Sequence, residues 1–270
     1  MATIHPTAVV HPEAKIAEGV FVGPYSIVGP NVELKQGVVL RSHVVVEGFT
    51  TIDQGTQVFQ FASLGAKPQD LKYRGEKTFV NIGKNCEIRE CVTVNSSCGE
   101  GTEVKIGDNC LLMAYVHVAH NCTLGNNVIL ANNVSLAGHV DIGNFAIVGG
   151  FTPIHQHTRI GDHAMCGGMS RLDGDLGPFL LGGGTEFKVG SINLTGLKRR
   201  GFSLERRIKI GKLFKWVYRS GLSMDEAMAG ILTEFSLDDP DVQLWVEFFS
   251  KTKRGYAGYR KIPAAETANC

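Results

Sequence analysis

EVKIGDNCLLMAYVHVAHNCTLGNNVILANNVSLAGHVDIGNFAIV, residues 103–148, carries an aliphatic side chain at every sixth position: Ile106, Leu112, Val118, Leu124, Leu130, Leu136, Ile142 and Val148. The beat extends in both directions. Upstream it occupies Ile4, Val10, Ile16, Val22, Val28, Leu34, Leu40, Val46, Ile52, Val58 and Leu64, then Ile82, Ile88 and Val94; downstream it continues through Ile154 and Ile160 and closes at Cys166 and Leu172. Neither the helix period of 3.6 nor the strand period of 2 generates such spacing. A triangular coil of about 18 residues, made of three short strands, does. Each sixth side chain then points inward and stacks on its equivalent one coil away, at the strand spacing of about 4.8 Å. Burying each contributes about 1.5–3 kcal/mol, so this column is the expected core.

The residue after the aliphatic is often glycine, as at Gly29, Gly107, Gly125, Gly143 and Gly161, with Asn or Asp next at Asp108, Asn126, Asn144 and Asp162. These types predict the left-handed backbone of a sharp corner. Four positions after the aliphatic come small groups such as Ser26, Thr56, Ala62, Cys86, Cys110 and Cys122, expected as inward fillers. The beat fails within KPQDLKYRGEK and again within NSSCGEGTE. Both stretches read as loops leaving the prism, and long loops often carry function. Beyond Leu172 a helical grammar takes over: Leu204, Ile208, Phe214 and Val217 predict one helix that Gly221 ends, Ser223 with Glu226 forms a capping box, and Asp239 with Pro240 opens a further helix. The expected division is a β-prism over residues 1–185, with excursions at about 66–81 and 95–103, and a helical domain over 186–270 that frays from about Ala264.

Composition excludes several classes. With 43% hydrophobic and 20% charged residues the chain is neither disordered nor fibrous, and no stretch approaches the roughly 18 apolar residues of a membrane helix. Its start lacks a basic and apolar leader, so a cytoplasmic location without membrane insertion is expected. Seven cysteines without a CxxC pair fit reduced thiols better than disulfides or a zinc site. The net charge of +1 divides into −4 over residues 1–197 and +5 over 198–270. The basic tail suits an acidic partner as well as a solvated helical surface.

Coil spacing places the histidines before any relative is invoked. His139 and His157 stack one coil apart, His120 lies one residue out of register in the coil below, and His155 with Gln156 comes one coil above Ala137 and Gly138. Such imidazoles can take a proton from a hydroxyl, bind zinc, or serve as polar corner residues.

The hexads resemble those of the hexapeptide-repeat transferases, which implies a mainly β fold, a left-handed parallel β-helix followed by C-terminal helices, and a homotrimer with sites between neighbouring prisms. HVVVEG (43–48), QFASLG (60–65), PQDLKY (68–73), AHNCTLGNNVILANN (119–133), LAGHV (136–140) and GLKRRGFS (196–203) narrow the resemblance to the UDP-N-acetylglucosamine O-acyltransferases. It implies transfer of a long, 3-hydroxylated fatty acyl group from acyl carrier protein to the sugar 3-hydroxyl at the start of lipid A synthesis, with no cofactor, metal or nucleic acid. His120 matches the general base and Gly138 the oxyanion donor. Gln69, Asp70 and Lys72 match groups around the sugar and its phosphate; His117, His139, His155 and Gln156 match positioning residues. Asn193 and Arg200 match contacts to the nucleotide diphosphate, and Gly168 matches a position that leaves the acyl groove long. The basic tail, notably Lys198, Arg199, Arg206, Arg207, Lys209 and Lys212, becomes the expected dock for the carrier protein. Two positions depart from the pattern. Asn121 stands where relatives often have Asp after the base, and Glu186 stands in GGGTEF where they often have His. Other readings are an N-acyl or acetyl hexapeptide transferase, a zinc carbonic anhydrase on the same prism, and a non-enzymatic scaffold.

Overall fold

The computed structural model describes residues 1–259, so the fraying expected from about Ala264 lies outside the described residues. Three sheets form the faces of a prism. Parallel strands of the first face run from Thr3–Ile4 to Met165–Cys166, those of the second from Val9–Val10 to Pro153–Ile154, and those of the third from Lys15–Ile16 to Arg159–Ile160. Leu112 pairs with Leu130, Leu130 with Val148 and Val148 with Cys166, so the aliphatic of one coil stacks on that of the next. The fold is mainly β, a left-handed parallel β-helix with helices at its C-terminal end, as the hexads predict.

Burial follows the beat. Val22, Leu34, Leu64, Leu112 and Leu136 are wholly buried, whereas Ile4 stays 45% exposed because the first coil has nothing beneath it. The column four residues on is buried as well, but it holds Val38, Val44, Val116 and Val134 beside the small groups. Thiols in that column use their S–H: Cys86 donates to the Gly107 carbonyl at 3.1 Å and Cys110 to that of Gly125 at 3.2 Å. Across the excursions Leu64 pairs with Val94 and Val94 with Val118, so each loop inserts whole hexads and the phase survives.

The corners differ from the expectation. At most corners the left-handed residue is the third after the aliphatic, as Tyr25 follows Val22, Asn109 follows Ile106 and His139 follows Leu136; Gly65, directly after Leu64, does take the expected left-handed φ of 85°. Gly107, Gly125 and Gly143 keep a negative φ, and they are small for another reason. On the edge between the third and first faces, the Asp108 N–H donates to Asn126 Oδ1 at 2.8 Å, Asn126 N–H to Asn144 Oδ1 at 2.9 Å, and Asn144 N–H to Asp162 Oδ1 at 3.0 Å. A Cβ on Gly107 would lie 2.5 Å from Asn126 Oδ1. The Gly-Asn pairs therefore build a side-chain ladder that leaves no room for a Cβ.

A hairpin of Leu180–Gly183 and Lys188–Ile192 extends the first face and leads into four helices: α1 (Leu194–Arg199), α2 (Leu204–Tyr218), α3 (Met224–Glu234) and α4 (Pro240–Phe249). The capping box of Ser223 and Glu226 opens α3, and Asp239 caps α4 ahead of Pro240. In α2 the buried stripe is Ile210, Leu213, Phe214 and Val217, the spacing of one helical face. Leu204 and Ile208, expected on that face, are 63% and 54% exposed. The helices are tied to the last coil by Arg159, which pairs with the buried Asp175 at 2.7 Å and donates to the Phe248 carbonyl of α4 at 3.0 Å. Among the described residues no helix is long and apolar enough to cross a membrane.

Candidate active site

The histidines gather where the chain turns from the second face to the third. His139 and His157 occupy the left-handed corner position of successive coils, with rings stacked 4.6 Å apart; His120 meets His139 edge to face at 5.2 Å. In the coil below, the left-handed position is Asn121, which shifts His120 by one residue and turns its ring over Gly138. A Cβ on Gly138 would lie 2.3 Å from His120 Cε1, so only glycine admits the imidazole. The Gly138 carbonyl accepts from His157 N–H at 3.1 Å, while its own N–H has no hydrogen-bond acceptor among the described residues.

The first loop supplies a carboxylate. Asp70 Oδ1 accepts the Lys72 N–H at 2.8 Å and Oδ2 lies 3.6 Å from His120 Nε2. That backbone hydrogen bond is the largest cause of an Asp70 pKa below the ordinary carboxylate range, and the cationic form of His120 would lower it further. Gln69 and Lys72 flank it, both exposed. His117, on the adjoining face, is held by Thr93 Oγ1 at 2.7 Å, and burial lowers its pKa. Burial and the neighbouring His157 and His120 lower that of His139. His155 and Gln156 are exposed on the same edge, one coil above Gly138. Behind the corner lies a cavity of about 470 Å³ lined in part by Asn121, His139, His157, Arg159 and Lys253. Lys253, on the segment returning from α4, had no signal in the hexads that could have placed it there.

Three expected residues stand elsewhere in this chain. Asn193 and Arg200 lie on the edge between the third and first faces: Asn193 caps α1, with its Oδ1 accepting from Gly196 N–H and its Nδ2 donating to the His163 carbonyl at 3.0 Å. Arg200 donates to the Phe145 carbonyl at 2.9 Å and lies over the Phe145 ring. His163, absent from the sequence expectations, stacks between Phe145 and Phe179, and burial together with Arg200 pushes its pKa down to about 4. Its signal was the corner column itself, since Asn127, Phe145 and His163 recur at the coil spacing. Gly168 lies on the third edge, exposed beside Gly150. Glu186 is exposed in the turn of the C-terminal hairpin, apart from all of these.

Comparison with known proteins resolves the family. Residues 175–257 match the profile described as UDP N-acetylglucosamine O-acyltransferase, domain 2, and residues 13–48 and 103–138 match the bacterial transferase hexapeptide. An acyl-[acyl-carrier-protein]--UDP-N-acetylglucosamine O-acyltransferase of Chlamydia trachomatis is 53% identical over 256 residues, covering 94% of this chain and 91% of the relative. The chain belongs to this O-acyltransferase family. Among solved structures, LpxA from Acinetobacter baumannii superposes with a TM-score of 0.90 at 40% identity, over 94% of this chain and 99% of that one. The UDP-N-acetylglucosamine acyltransferase from Campylobacter jejuni gives 0.89 at 39%, over 96% and 100%. The corner of His120, Gly138 and Asp70 holds an imidazole, a backbone N–H and a carboxylate close to one another, groups that can take a proton from a hydroxyl and donate to an oxyanion. The rings of His120, His139 and His157 pack on one another instead of converging on a point, and no metal-holding group of three or more such side chains occurs among the described residues.

Proposed function

We propose that the chain transfers a long-chain, 3-hydroxylated fatty acyl group from acyl carrier protein to the 3-hydroxyl of UDP-N-acetylglucosamine, the opening step of lipid A synthesis. His120 Nε2 removes the hydroxyl proton as the sugar oxygen attacks the thioester carbonyl. The Gly138 N–H, without an acceptor among the described residues, donates to the oxyanion. As the intermediate collapses, the carbon–sulfur bond breaks, the imidazolium returns its proton to sulfur, and ester and carrier thiol leave. Gln69, Asp70 and Lys72 hold the sugar and the phosphate beside it, while His117, His139, His155 and Gln156 shape the pocket around them.

The remaining groups come from a neighbouring subunit of a cytoplasmic homotrimer. Asn193 and Arg200 sit one prism edge away from His120, too far around the same chain to share its site, and an adjacent prism brings that edge alongside. Arg200 then meets the diphosphate, for which its planar fork is suited. Gly168 leaves the acyl groove open. For the carrier protein Lys198 and Arg199 are exposed, while Arg207 is half-buried with its Nε donating to the Phe202 carbonyl at 3.1 Å. Arg206, Lys209 and Lys212 are engaged within the helices: Arg206 grips Asp241 at 2.7 Å, Lys209 lies 3.1 Å from the same carboxylate, and Lys212 pairs with Glu234 at 2.9 Å.

The observation that carries this reading is the imidazole of His120 seated on Gly138 with Nε2 turned to Asp70. His120→Ala removes the base without touching the aliphatic column, so the purified variant keeps its fold and its assembly and loses transfer by about 10³-fold or more. A folded variant with substantial turnover contradicts the assignment. Mass spectrometry of the product from UDP-N-acetylglucosamine and a panel of carrier thioesters reads acyl length, hydroxylation and whether the bond is ester or amide.

A further inference from the structure

We propose that Asn121 is a positioning residue that locks His120 in the tautomer protonated at Nδ1, and that the charge answering the imidazolium comes from Asp70 across the cleft. The lock follows from groups whose roles are not interchangeable. The Cys98 N–H can only donate, and it meets Asn121 Oδ1 at 3.2 Å; the Cys98 carbonyl can only accept, and it meets Asn121 Nδ2 at 3.1 Å. Backbone thus fixes which end of the amide is oxygen, an assignment otherwise open to a flip. That oxygen lies 2.9 Å from His120 Nδ1. An amide oxygen accepts only, so Nδ1 carries the proton and Nε2 keeps its lone pair.

The device spans both loops. Glu76, in the first, accepts the Gly99 N–H at 2.9 Å and the Arg74 N–H at 2.7 Å, with Cys98 Sγ at 3.6 Å, clasping the second loop to the first. Hydrogen bonds from backbone N–H groups push the Glu76 pKa down to about 2, so the clasp is charged at neutral pH. Asn121 has no charge to offer an imidazolium. Asp70 Oδ2, 3.6 Å from Nε2, has one. The charged or titratable groups on the elements around this corner are Asp70, Lys72 and Glu76 of the first loop, Cys98 of the second, Glu103, His139, Asp141, His157 and Arg159 of the prism, and Lys251 and Lys253 of the returning segment. Among the described residues, Asp70 is the carboxylate within ion-pair distance of the His120 ring.

The inference uses the assignment of His120 as base only for its kinetic arm; the tautomer is a property of the resting enzyme and is read separately. Nitrogen-15 NMR of histidine-labelled full-length enzyme, with His120 assigned by difference from His120→Ala, is expected to show the neutral ring protonated at Nδ1. A neutral ring protonated at Nε2 overturns the lock. Asp70→Asn is expected to lower kcat at saturating UDP-N-acetylglucosamine while the Nδ1 proton stays in place, since the imidazolium formed at Nε2 loses the carboxylate 3.6 Å away; a parental kcat overturns the role of Asp70. In kinetics, Asn121→Ala is expected to lower kcat by about tenfold to a hundredfold with little change in KM, and Asn121→Asp to restore most of it. An Asn121→Ala enzyme within twofold of the parent kcat contradicts the proposal. If His120→Ala remains active while the Nδ1 proton is observed, the base assignment fails and the tautomer lock stands.

Discussion

Gly138 is a glycine because an imidazole already fills the space of its side chain: Cβ would stand 2.3 Å from His120 Cε1 and 2.4 Å from Nε2. Gly138→Ala must therefore push the ring off its seat, away from both Asn121 and Asp70. We expect a loss of kcat of about 10²-fold or more, accompanied by a stability cost of only about 1–3 kcal/mol for the overpacked corner. Steady-state kinetics beside a denaturant melt measures both, and an alanine enzyme with parental kcat contradicts the arrangement. At this scale the histidine cluster was legible, because coil spacing alone puts His120, His139 and His157 on one edge. The partners of the cluster were not. Asn121 binds Cys98 and Glu76 binds Gly99 through loops whose path no period specifies, and Lys253 arrives from beyond α4.

The strand and corner elements show where a pattern was right and its mechanism different. Glycine after the aliphatic read as a left-handed corner; at Gly107, Gly125 and Gly143 φ turns positive two residues later instead, and these glycines are bare because a carboxamide or carboxylate of the next coil occupies the Cβ position. At Gly125 a Cβ would lie 2.8 Å from Asn144 Oδ1 and 2.9 Å from Asn144 N. Gly125→Ala is expected to destabilise by about 1–3 kcal/mol, through displacement of the Asn144 side chain and loss of its bond to Asn126 N–H. Pairing it with Asn144→Ala tests the cause: if the ladder is responsible, the double variant costs less than the sum of the two single ones, measured by urea unfolding, and full additivity contradicts it. In the helical cap, capping residues were readable because they act on the nearest turn, as Ser223 and Asp239 do. The buried face of α2 was less so. Its apolar residues outnumber those the core needs, and packing selects Ile210, Leu213, Phe214 and Val217 over Leu204 and Ile208.

For the whole molecule, the six-residue beat specifies a prism with three edges, and the residues matched to the substrate are distributed over all three. His120, Gly138 and Asp70 gather at one, Asn193 and Arg200 brace another beside Phe145 and His163, and Gly168 lies on the third. A coil that advances one strand spacing per turn keeps each column on its own edge, so no bend of a single chain reunites them. That distribution is what supports the proposal of sites assembled from adjoining subunits. The direct measurement is activity in mixed trimers of His120→Ala and Arg200→Ala chains, co-assembled and verified by native mass spectrometry. A site that takes His120 from one chain and Arg200 from its neighbour is intact at one of the three junctions in every mixed trimer. The account predicts turnover near one third of the parent per trimer where each homotrimer has little; mixed trimers no more active than the homotrimers would contradict it.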